Sequence, residues 1–309
     1  MFSEQQIKQF CSELYYRQDD FTKILKKFSQ ESFILKKISN VKSQDSILKQ
    51  YLLGTGGQAF VVLGQQTQTQ EEVAIKFSRN SKQVYDEMTR ELDKMKKFVF
   101  RSSSYVLKAL CKKSMKMRSK NQQYSYKQAL SILFFSINAL CEIHSNGKIH
   151  FDIKPSNILI TKDGKYKLVD FGHSKNLESN QSYIKSFGGG SIFFNSPEQY
   201  QANLGVSSNN NIEMRILTDV FIMGVSILEV IGVRVDFLIF NVLQQNQTDS
   251  IDDKFQPQHK NIYSFIKYYM IQPQQSQRFS AIRLRQMFLK EFESEVKFDE
   301  EIQRLQKSI

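Results

Sequence analysis

Hydrophobic residues recur at helical spacing along much of the chain, which predicts a largely helical second half. Residues 126–144 carry a dense apolar face at this period, and residues 82–98 form a more polar helical run. Residues 1–28 also place apolar side chains at helix-like intervals and predict one or two amphipathic helices.

Short apolar runs predict strands in three regions. Residues 51–64, YLLGTGGQAFVVLG, precede a polar turn and the run VAIKF, which predicts strand, glycine turn, strand, turn and strand. The runs at 158–160 and 166–171 flank a Lys-Asp-Gly turn signal and predict a hairpin. Residues 105–110 predict another strand, whereas the basic segment that follows them has few strand signals.

Composition favours a globular protein without a dedicated nucleic-acid site. The 309 residues are 40% hydrophobic and 24% charged, with a formal net charge of +12. Because Lys and Arg are spread along the chain without a long basic block, a generally basic surface is favoured over a nucleic-acid groove. Binding of nucleic acid or an acidic protein remains the weakest alternative for this surface.

The cysteines and apolar segments favour a soluble cytoplasmic protein. Three cysteines without metal-ligand spacing suit a reducing compartment. The first twenty residues carry charges where a signal peptide needs an apolar run. The apolar stretch 220–243 is interrupted by charged residues and predicts a buried helix, with no membrane span.

Candidate chemistry is concentrated at 144–172, HSNGKIHFDIKPSNILITKDGKYKLVDFG. Asp152 lies five positions before Asn157, and Asp170 directly precedes a Phe-Gly pair. The predicted hairpin brings these acidic and amide side chains to its two outer ends. With Lys154 two residues after the first Asp, the set suits a site that handles a magnesium-bound phosphate.

The order of these residues resembles the eukaryotic protein kinases, whose signature is H-R-D-L-x-x-x-N followed by D-F-G. The resemblance covers about residues 48–292 and implies an α+β, bilobal kinase-like fold with a small β-rich N-lobe and a larger, mainly helical C-lobe. It divides the chain into an N-terminal helical extension at 1–47, a kinase domain at 48–292 and a tail at 293–309, which is a short helix or frayed end.

The resemblance also implies roles for the candidate residues. Asp152 is the expected catalytic base for the attacking hydroxyl, and Lys154 neutralises charge on the transferred phosphoryl group. Asn157 and Asp170 would hold Mg²⁺. Lys154, together with Ser191 near the catalytic Asp, resembles the serine/threonine branch, which implies transfer from ATP to serine or threonine hydroxyls of protein substrates.

The glycine run at 54–59 resembles the kinase glycine-rich loop at Gly54, Gly56 and Val61. A dinucleotide-binding fold would need a helix directly after the glycines, and the apolar residues at 60–62 predict a strand. Ala59 replaces the third glycine, and because alanine adopts positive φ only at a cost, the loop tip is expected to differ over phosphate.

Val73-Ala74-Ile75-Lys76 matches the V-A-I-K strand of the family. This match places Ala74 in the nucleotide site and makes Lys76 the candidate partner of the α- and β-phosphates. In the helix that follows, Glu91 is the expected ion-pair partner of Lys76, with Glu87 one turn earlier as the alternative.

Two departures from the family pattern affect function. Phe151 replaces the arginine that pairs with a phosphorylated activation loop, so an active enzyme is expected not to depend on that form of phosphorylation. The segment 98–126 is so short that either the hinge for adenine is abbreviated or part of the nucleotide pocket is missing.

Several large-lobe residues are expected to be structural. A polar activation loop follows Gly172, and 199–217 predicts a loop insertion. Ser196-Pro197-Glu198 resembles the family's Ala-Pro-Glu, with Glu198 pairing with Arg278. The resemblance makes 218–230 the central buried helix of the large lobe, with Asp219 anchoring the backbone of the catalytic loop. It also implies closing helices at 262–270 and 280–292.

Two functions remain open from the sequence: an active serine/threonine kinase and a pseudokinase that serves as an interaction module. Ala59, Phe151 and the short hinge favour the pseudokinase. The residues that the chemistry requires favour the enzyme; they are Lys76, Asp152, Asn157 and Asp170. The sequence carries no indication of oligomeric state.

Overall fold

A computed structural model of the protein divides the chain into two compact units, residues 1–112 with 161–165, and residues 113–160 with 166–309. The residues that it describes are 33–35, 52–55, 59–66, 72–78, 111–114, 124–161, 166–177, 181–185, 189–205, 212–252 and 254–298. The helices predicted at 1–28 and 82–98 and the strand predicted at 105–110 lie outside these described residues.

The first unit contains a four-stranded antiparallel sheet. Its strands are β1 (Phe33–Leu35), β2 (Leu52–Thr55), β3 (Ala59–Gln66) and β4 (Glu72–Ser78). Strand β3 pairs with all three others. The strand–turn–strand–turn–strand prediction is therefore confirmed, and β1 adds a strand within the segment for which only helices were predicted.

A second small sheet contains the predicted hairpin. Its strands are β5 (Cys111–Ser114), β7 (Ile158–Thr161) and β8 (Tyr166–Leu168), in the order β5-β7-β8. Strands β7 and β8 pair antiparallel, with Ile158 opposite Leu168. The segment 111–125 has few strand signals, yet β5 forms within it, because pairing with a neighbouring strand outweighs the weak propensity of Cys-Lys-Lys-Ser.

The second unit is mainly helical. Its helices are α1 (Tyr126–Ser145), α2 (Pro197–Leu204), α3 (Leu217–Val230), α4 (Phe237–Gln244), α5 (Lys260–Tyr269), α6 (Ala281–Glu291) and α7 (Glu293–Phe298). Two short strand pairs accompany them: β6 (Lys148–Ile149) with β9 (Lys175–Asn176), and β10 (Ile184–Lys185) with β11 (Glu213–Met214). This division into a β-rich and a larger helical part confirms the predicted α+β class.

Capping side chains explain where several helices begin. Ser125 and Gln128 form a reciprocal capping box at the start of α1. Ser196 caps α2, whose first residue is Pro197, a position where the missing N–H costs nothing. The loop predicted for 199–217 is therefore wrong in part: α2 continues to Leu204, and β11 follows before α3.

The helix α3 lies at the centre of the second unit. All but two of its fourteen residues are buried, and α1 packs against it and against α6. Gly224 permits the close approach of the segment after α5, since a Cβ there would lie 2.7 Å from Ile271 Cγ2. Phe134 of α1 and Phe288 of α6 meet at 5.0 Å between ring centroids. Among the described residues, no helix is both long and apolar enough to cross a membrane.

A buried ion pair joins α2 to the chain before α6. Arg278 Nη1 lies 2.7 Å from Glu198 Oε1, and Nη2 donates to Glu198 Oε2 at 2.9 Å. The guanidinium is fully buried and also donates to three backbone carbonyls. The pair predicted from the sequence is therefore present, in the bidentate geometry that Arg favours.

Replacing Arg278 by Met should lower the free energy of unfolding by about 3–5 kcal/mol, because the Glu198 carboxylate would remain buried without its partner. Guanidinium titration of both proteins measures the difference. Arg215→Met is the control, since its ion pair with Glu213 is about 40% exposed and should contribute less than about 1 kcal/mol. Equal losses in the two variants would contradict this prediction.

Candidate active site

The segment between β6 and β7, residues 150–157, is held by the buried helix α3. Asp219 accepts the backbone N–H groups of His150 at 2.7 Å and Phe151 at 2.9 Å through its two carboxylate oxygens. Two turns further along α3, Ser226 donates to the carbonyl of Ile153 at 3.0 Å. Both side chains are fully buried. The segment is therefore fixed at three backbone groups, as predicted for Asp219.

A compact polar network surrounds Asp152. Lys154 Nζ lies 2.7 Å from Asp152 Oδ2 and donates to Ser191 Oγ at 2.7 Å. Ser191 Oγ in turn donates to Asp152 Oδ1 at 2.9 Å. The Asp152 residue is only 4% exposed, so the lysine and the hydroxyl hold a nearly buried carboxylate in one orientation.

Asn157 completes the set on the other side of Asp152. Its Nδ2 donates to the backbone carbonyl of Asp152 at 2.8 Å and lies 3.3 Å from Asp152 Oδ2. With the amide nitrogen directed at Asp152, the amide oxygen is the atom that remains for a ligand. The backbone N–H of Val169 donates to the Asn157 carbonyl at 2.9 Å, so the hairpin brings Asn157 beside the residue that precedes Asp170.

The donor set fits a magnesium ion that also binds phosphate. Amide and carboxylate oxygens from Asn157 and Asp170 are the hard ligands that Mg²⁺ prefers. Within the described residues, no cluster of three or more His, Cys, Asp or Glu side chains could hold a metal. Because Mg²⁺ is commonly bound by one or two protein groups together with substrate phosphates, this sparse set suits a metal–nucleotide complex.

Two residues of the site adopt the left-handed backbone region. Phe151 has φ of 65° and Asp170 has φ of 69°. For a bulky residue such as phenylalanine this conformation is a true outlier, and such strain persists only where surrounding contacts impose it. At Phe151 the hydrogen bond to Asp219 and complete burial of the ring supply those contacts.

The Phe151 ring belongs to an apolar cluster. It is buried with Ile149 and Met214. Five partly buried residues pack against this core: Leu177, Ile184, Ala202, Ile212 and Ile216. The position that carries an arginine in the family pattern thus lies among hydrocarbon side chains.

His150 is a neutral, buried ring within the site. Burial lowers its pKa below the ordinary value, although the carboxylates of Asp219, Asp152 and Asp170 oppose this effect. Its Nδ1 accepts a hydrogen bond from the backbone N–H of Asp152, at 3.3 Å. The ring also contacts Phe171, with 4.7 Å between centroids. This packing connects the segment that carries Asp152 to the one that carries Asp170.

In the sheet of the first unit, three predicted nucleotide-site residues form one row. Gly54 of β2 is opposite Val61 of β3, and Val61 is opposite Lys76 of β4. Ala74 lies two positions before Lys76 and is opposite Leu63. Gly56, Glu87 and Glu91 lie outside the described residues.

Sequence reasoning missed two residues of the site, Ser226 and Gln199. Ser226 follows Asp219 by seven positions, which places both on one face of an otherwise apolar helix, and this spacing could have revealed it. Gln199 donates to the carbonyl of Phe151 from helix α2. It belongs to a segment predicted as a loop, so no periodicity pointed to it.

Comparison with known proteins identifies the family. A family profile described as "Protein kinase domain" matches residues 47–290, most of the chain. The chain belongs to the protein kinase family. Its predicted kinase-like fold is therefore confirmed.

Several curated kinases are similar to parts of this kinase-family chain. The serine/threonine-protein kinase PrkC of Bacillus subtilis (strain 168) is 32% identical over 111 residues, which cover 36% of this chain and 16% of that protein. Sperm motility kinase 3A of Mus musculus is 28% identical over 170 residues, covering 49% and 34%. Serine/threonine-protein kinase 4 homolog B of Dictyostelium discoideum is 33% identical over 113 residues, covering 37% and 9%. The similarity spans about a third or less of these relatives.

Replacing Asp219 by Asn should destabilise the second unit by about 2–3 kcal/mol, because an amide can offer only one oxygen to the two backbone N–H groups. Urea unfolding followed by far-ultraviolet circular dichroism measures this loss. Asp249→Asn is the matched control, since that side chain is 92% exposed and pairs with Lys267 at the surface. An unchanged unfolding midpoint for Asp219→Asn would show that the carboxylate does not anchor the loop.

Proposed function

We propose that this chain is an ATP-dependent protein kinase that transfers the γ-phosphate of Mg-ATP to serine or threonine hydroxyls of proteins. The observation that carries the proposal is the network in which Lys154 and Ser191 orient the carboxylate of Asp152. Phosphoryl transfer requires mainly positioning and charge stabilisation, and this network provides both at one carboxylate.

In this proposal Asp152 orients the hydroxyl of the substrate and accepts its proton. The carboxylate is held by Ser191 on one oxygen and Lys154 on the other, so its orientation is set before the substrate arrives. Lys154 lies close enough to Asp152 for its ammonium group to neutralise charge on the group being transferred. The same lysine and Ser191 are the features that favour serine and threonine over tyrosine.

Bound Mg-ATP supplies the phosphoryl group and the metal charge that neutralises it as it moves. Asn157 and Asp170 would hold the metal, since they offer oxygen atoms at the two ends of the hairpin. Lys76 would meet the α- and β-phosphates, with Glu91 as its ion-pair partner. The remaining nucleotide contacts are assigned to Gly54, Gly56, Val61 and Ala74.

The proposal includes the boundaries and setting of the domain. The kinase domain is assigned to residues 48–292, between an N-terminal extension at 1–47, which includes the strand β1, and a tail at 293–309. Its substrates are proteins, and its place of action is the cytoplasm. No specific nucleic acid is part of the proposal, because the basic residues are spread along the chain.

A pseudokinase is the second candidate, and Phe151 is the observation that favours it. The apolar ring occupies the position of the family's arginine and cannot pair with a phosphorylated activation loop. In this alternative the chain keeps the fold and serves as a nucleotide-binding or scaffolding module.

Transfer of labelled γ-phosphate from Mg-ATP to a set of serine-, threonine- and tyrosine-containing peptides tests the proposal. The wild-type protein should label serine or threonine peptides. Asp152→Asn should lower the rate by about 100-fold or more, because the amide cannot accept the proton. Asp249→Asn provides a matched control at an exposed surface position and should keep the wild-type rate.

Absence of both phosphate transfer and nucleotide binding would contradict the proposal. If neither the wild-type protein nor Asp152→Asn transfers phosphate, and Mg-ATP does not raise the thermal midpoint of either, the enzyme proposal fails. Thermal stabilisation by Mg-ATP without transfer would instead establish the pseudokinase.

A further inference from the structure

Gln199 connects two backbone segments of the site. It lies in the first turn of α2 and is fully buried. Its side-chain Nε2 donates to the carbonyl of Phe151 at 3.0 Å and to the carbonyl of Gly189 at 2.9 Å. One amide group thus joins the segment that carries Asp152 to the segment that carries Ser191.

The orientation of this amide is fixed by its surroundings. Two carbonyl oxygens accept from the same nitrogen, and the reversed amide would place its oxygen against both of them. Within the described part of the chain, Gln199 Oε1 is buried without a hydrogen-bond partner. Because an unpaired buried oxygen costs stability, the residue is poorly suited to a role in stability alone.

The chain at Gly189 and Gly190 passes close to the backbone of Phe151. Asn203 accepts from the Gly189 N–H at 2.6 Å and donates to the Gly189 carbonyl at 3.1 Å. Gly190 has φ of +76°, and a Cβ there would lie 2.4 Å from the Phe151 carbonyl oxygen. Only glycine fits so close an approach, so the segment has a fixed path.

The next residue along this path is Ser191, whose hydroxyl lies 2.9 Å from Asp152 Oδ1. A shift of the glycine pair would move this hydroxyl away from the carboxylate. The Gln199 amide therefore acts on the Ser191–Asp152 geometry from both sides, through the Phe151 carbonyl before Asp152 and the Gly189 carbonyl before Ser191. The amides of Asn203 and Asn195 donate to the Gly189 carbonyl as well, at 3.1 and 3.4 Å, but Gln199 also reaches Phe151.

We propose that Gln199 is a positioning residue for phosphoryl transfer, whose buried amide fastens the glycine segment to the catalytic loop and thereby aligns Ser191 with Asp152. The inference rests on the proposed kinase function. In it Gln199 does not touch the substrate and acts through the positions of Ser191 and Asp152. The connection consists of hydrogen bonds of the chain itself and contains no charged group. The apolar cluster around the Phe151 ring also holds this residue in place, and so supports the connection between the catalytic loop and the glycine segment.

Two variants of Gln199 test the proposal. Gln199→Glu keeps the shape of the side chain and places oxygen atoms against both carbonyls, whereas Gln199→Met keeps the length and removes the donors. Gln272→Glu is the matched control, because the Gln272 amide also donates to a carbonyl from a partly buried site, at Lys267. For each folded protein, kcat and the KM values for ATP and peptide are measured.

Both Gln199 variants should lower kcat/KM for the peptide by about tenfold or more, with a raised peptide KM and a KM for ATP within about twofold of wild type. A smaller folded fraction alone would change neither KM. Gln272→Glu should match the wild type. If Gln199→Glu does not fold, Gln199→Met decides. Wild-type kcat and peptide KM in a folded Gln199 variant would overturn the proposal.

Hydrogen exchange separates this inference from the function on which it rests. If the wild-type protein transfers no phosphate, the proposed function has failed. The exchange rates of the amide protons at 189–191 still show whether Gln199 holds the glycine segment in place. Exchange about tenfold faster in Gln199→Met than in wild type supports the role of the amide. Equal exchange in the two proteins overturns it.

Discussion

The carboxylate of Asp219 is the contact on which the rest of the site depends. It lies in the buried centre of the second unit and accepts two consecutive backbone N–H groups, those of His150 and Phe151. A carboxylate on a buried helix is stable only where such donors satisfy its oxygens. Through these two hydrogen bonds Asp219 fixes the backbone immediately before Asp152 to the helix α3. The position of the proposed catalytic base is thus set by the most deeply buried helix of this unit.

Much of the fold and part of the site could be predicted from the sequence, because they leave periodic or ordered signals. The apolar period gave α1 closely, the family resemblance gave α3, and the spacing of Asp152 and Asn157 gave two members of the polar network. The strand β5 and the helix α2 were missed. The first depends on pairing across the chain and the second on a cap and a proline within a polar segment. Long-range contacts of this kind carry no local pattern.

The structure changes the meaning of Phe151. The sequence indicates only that the arginine is lost, since an aromatic ring cannot bind a phosphorylated loop. In the folded chain the ring fills an apolar cluster, and the backbone carbonyl of the same residue accepts from Gln199. Burial of the ring also supports a backbone conformation that phenylalanine rarely adopts. Apolar contacts of the chain itself thus occupy the position where the family pattern has a charge-dependent contact.

The central claim is that the catalytic loop is assembled by contacts of the chain alone. Its most direct test is the time course of peptide phosphorylation by protein that has been freed of phosphate by a phosphatase and verified by mass spectrometry. The account predicts product formation that is linear from the first time point, with no dependence on phosphate in the segment 173–191. A lag that ends only when a residue of this segment becomes phosphorylated would contradict it.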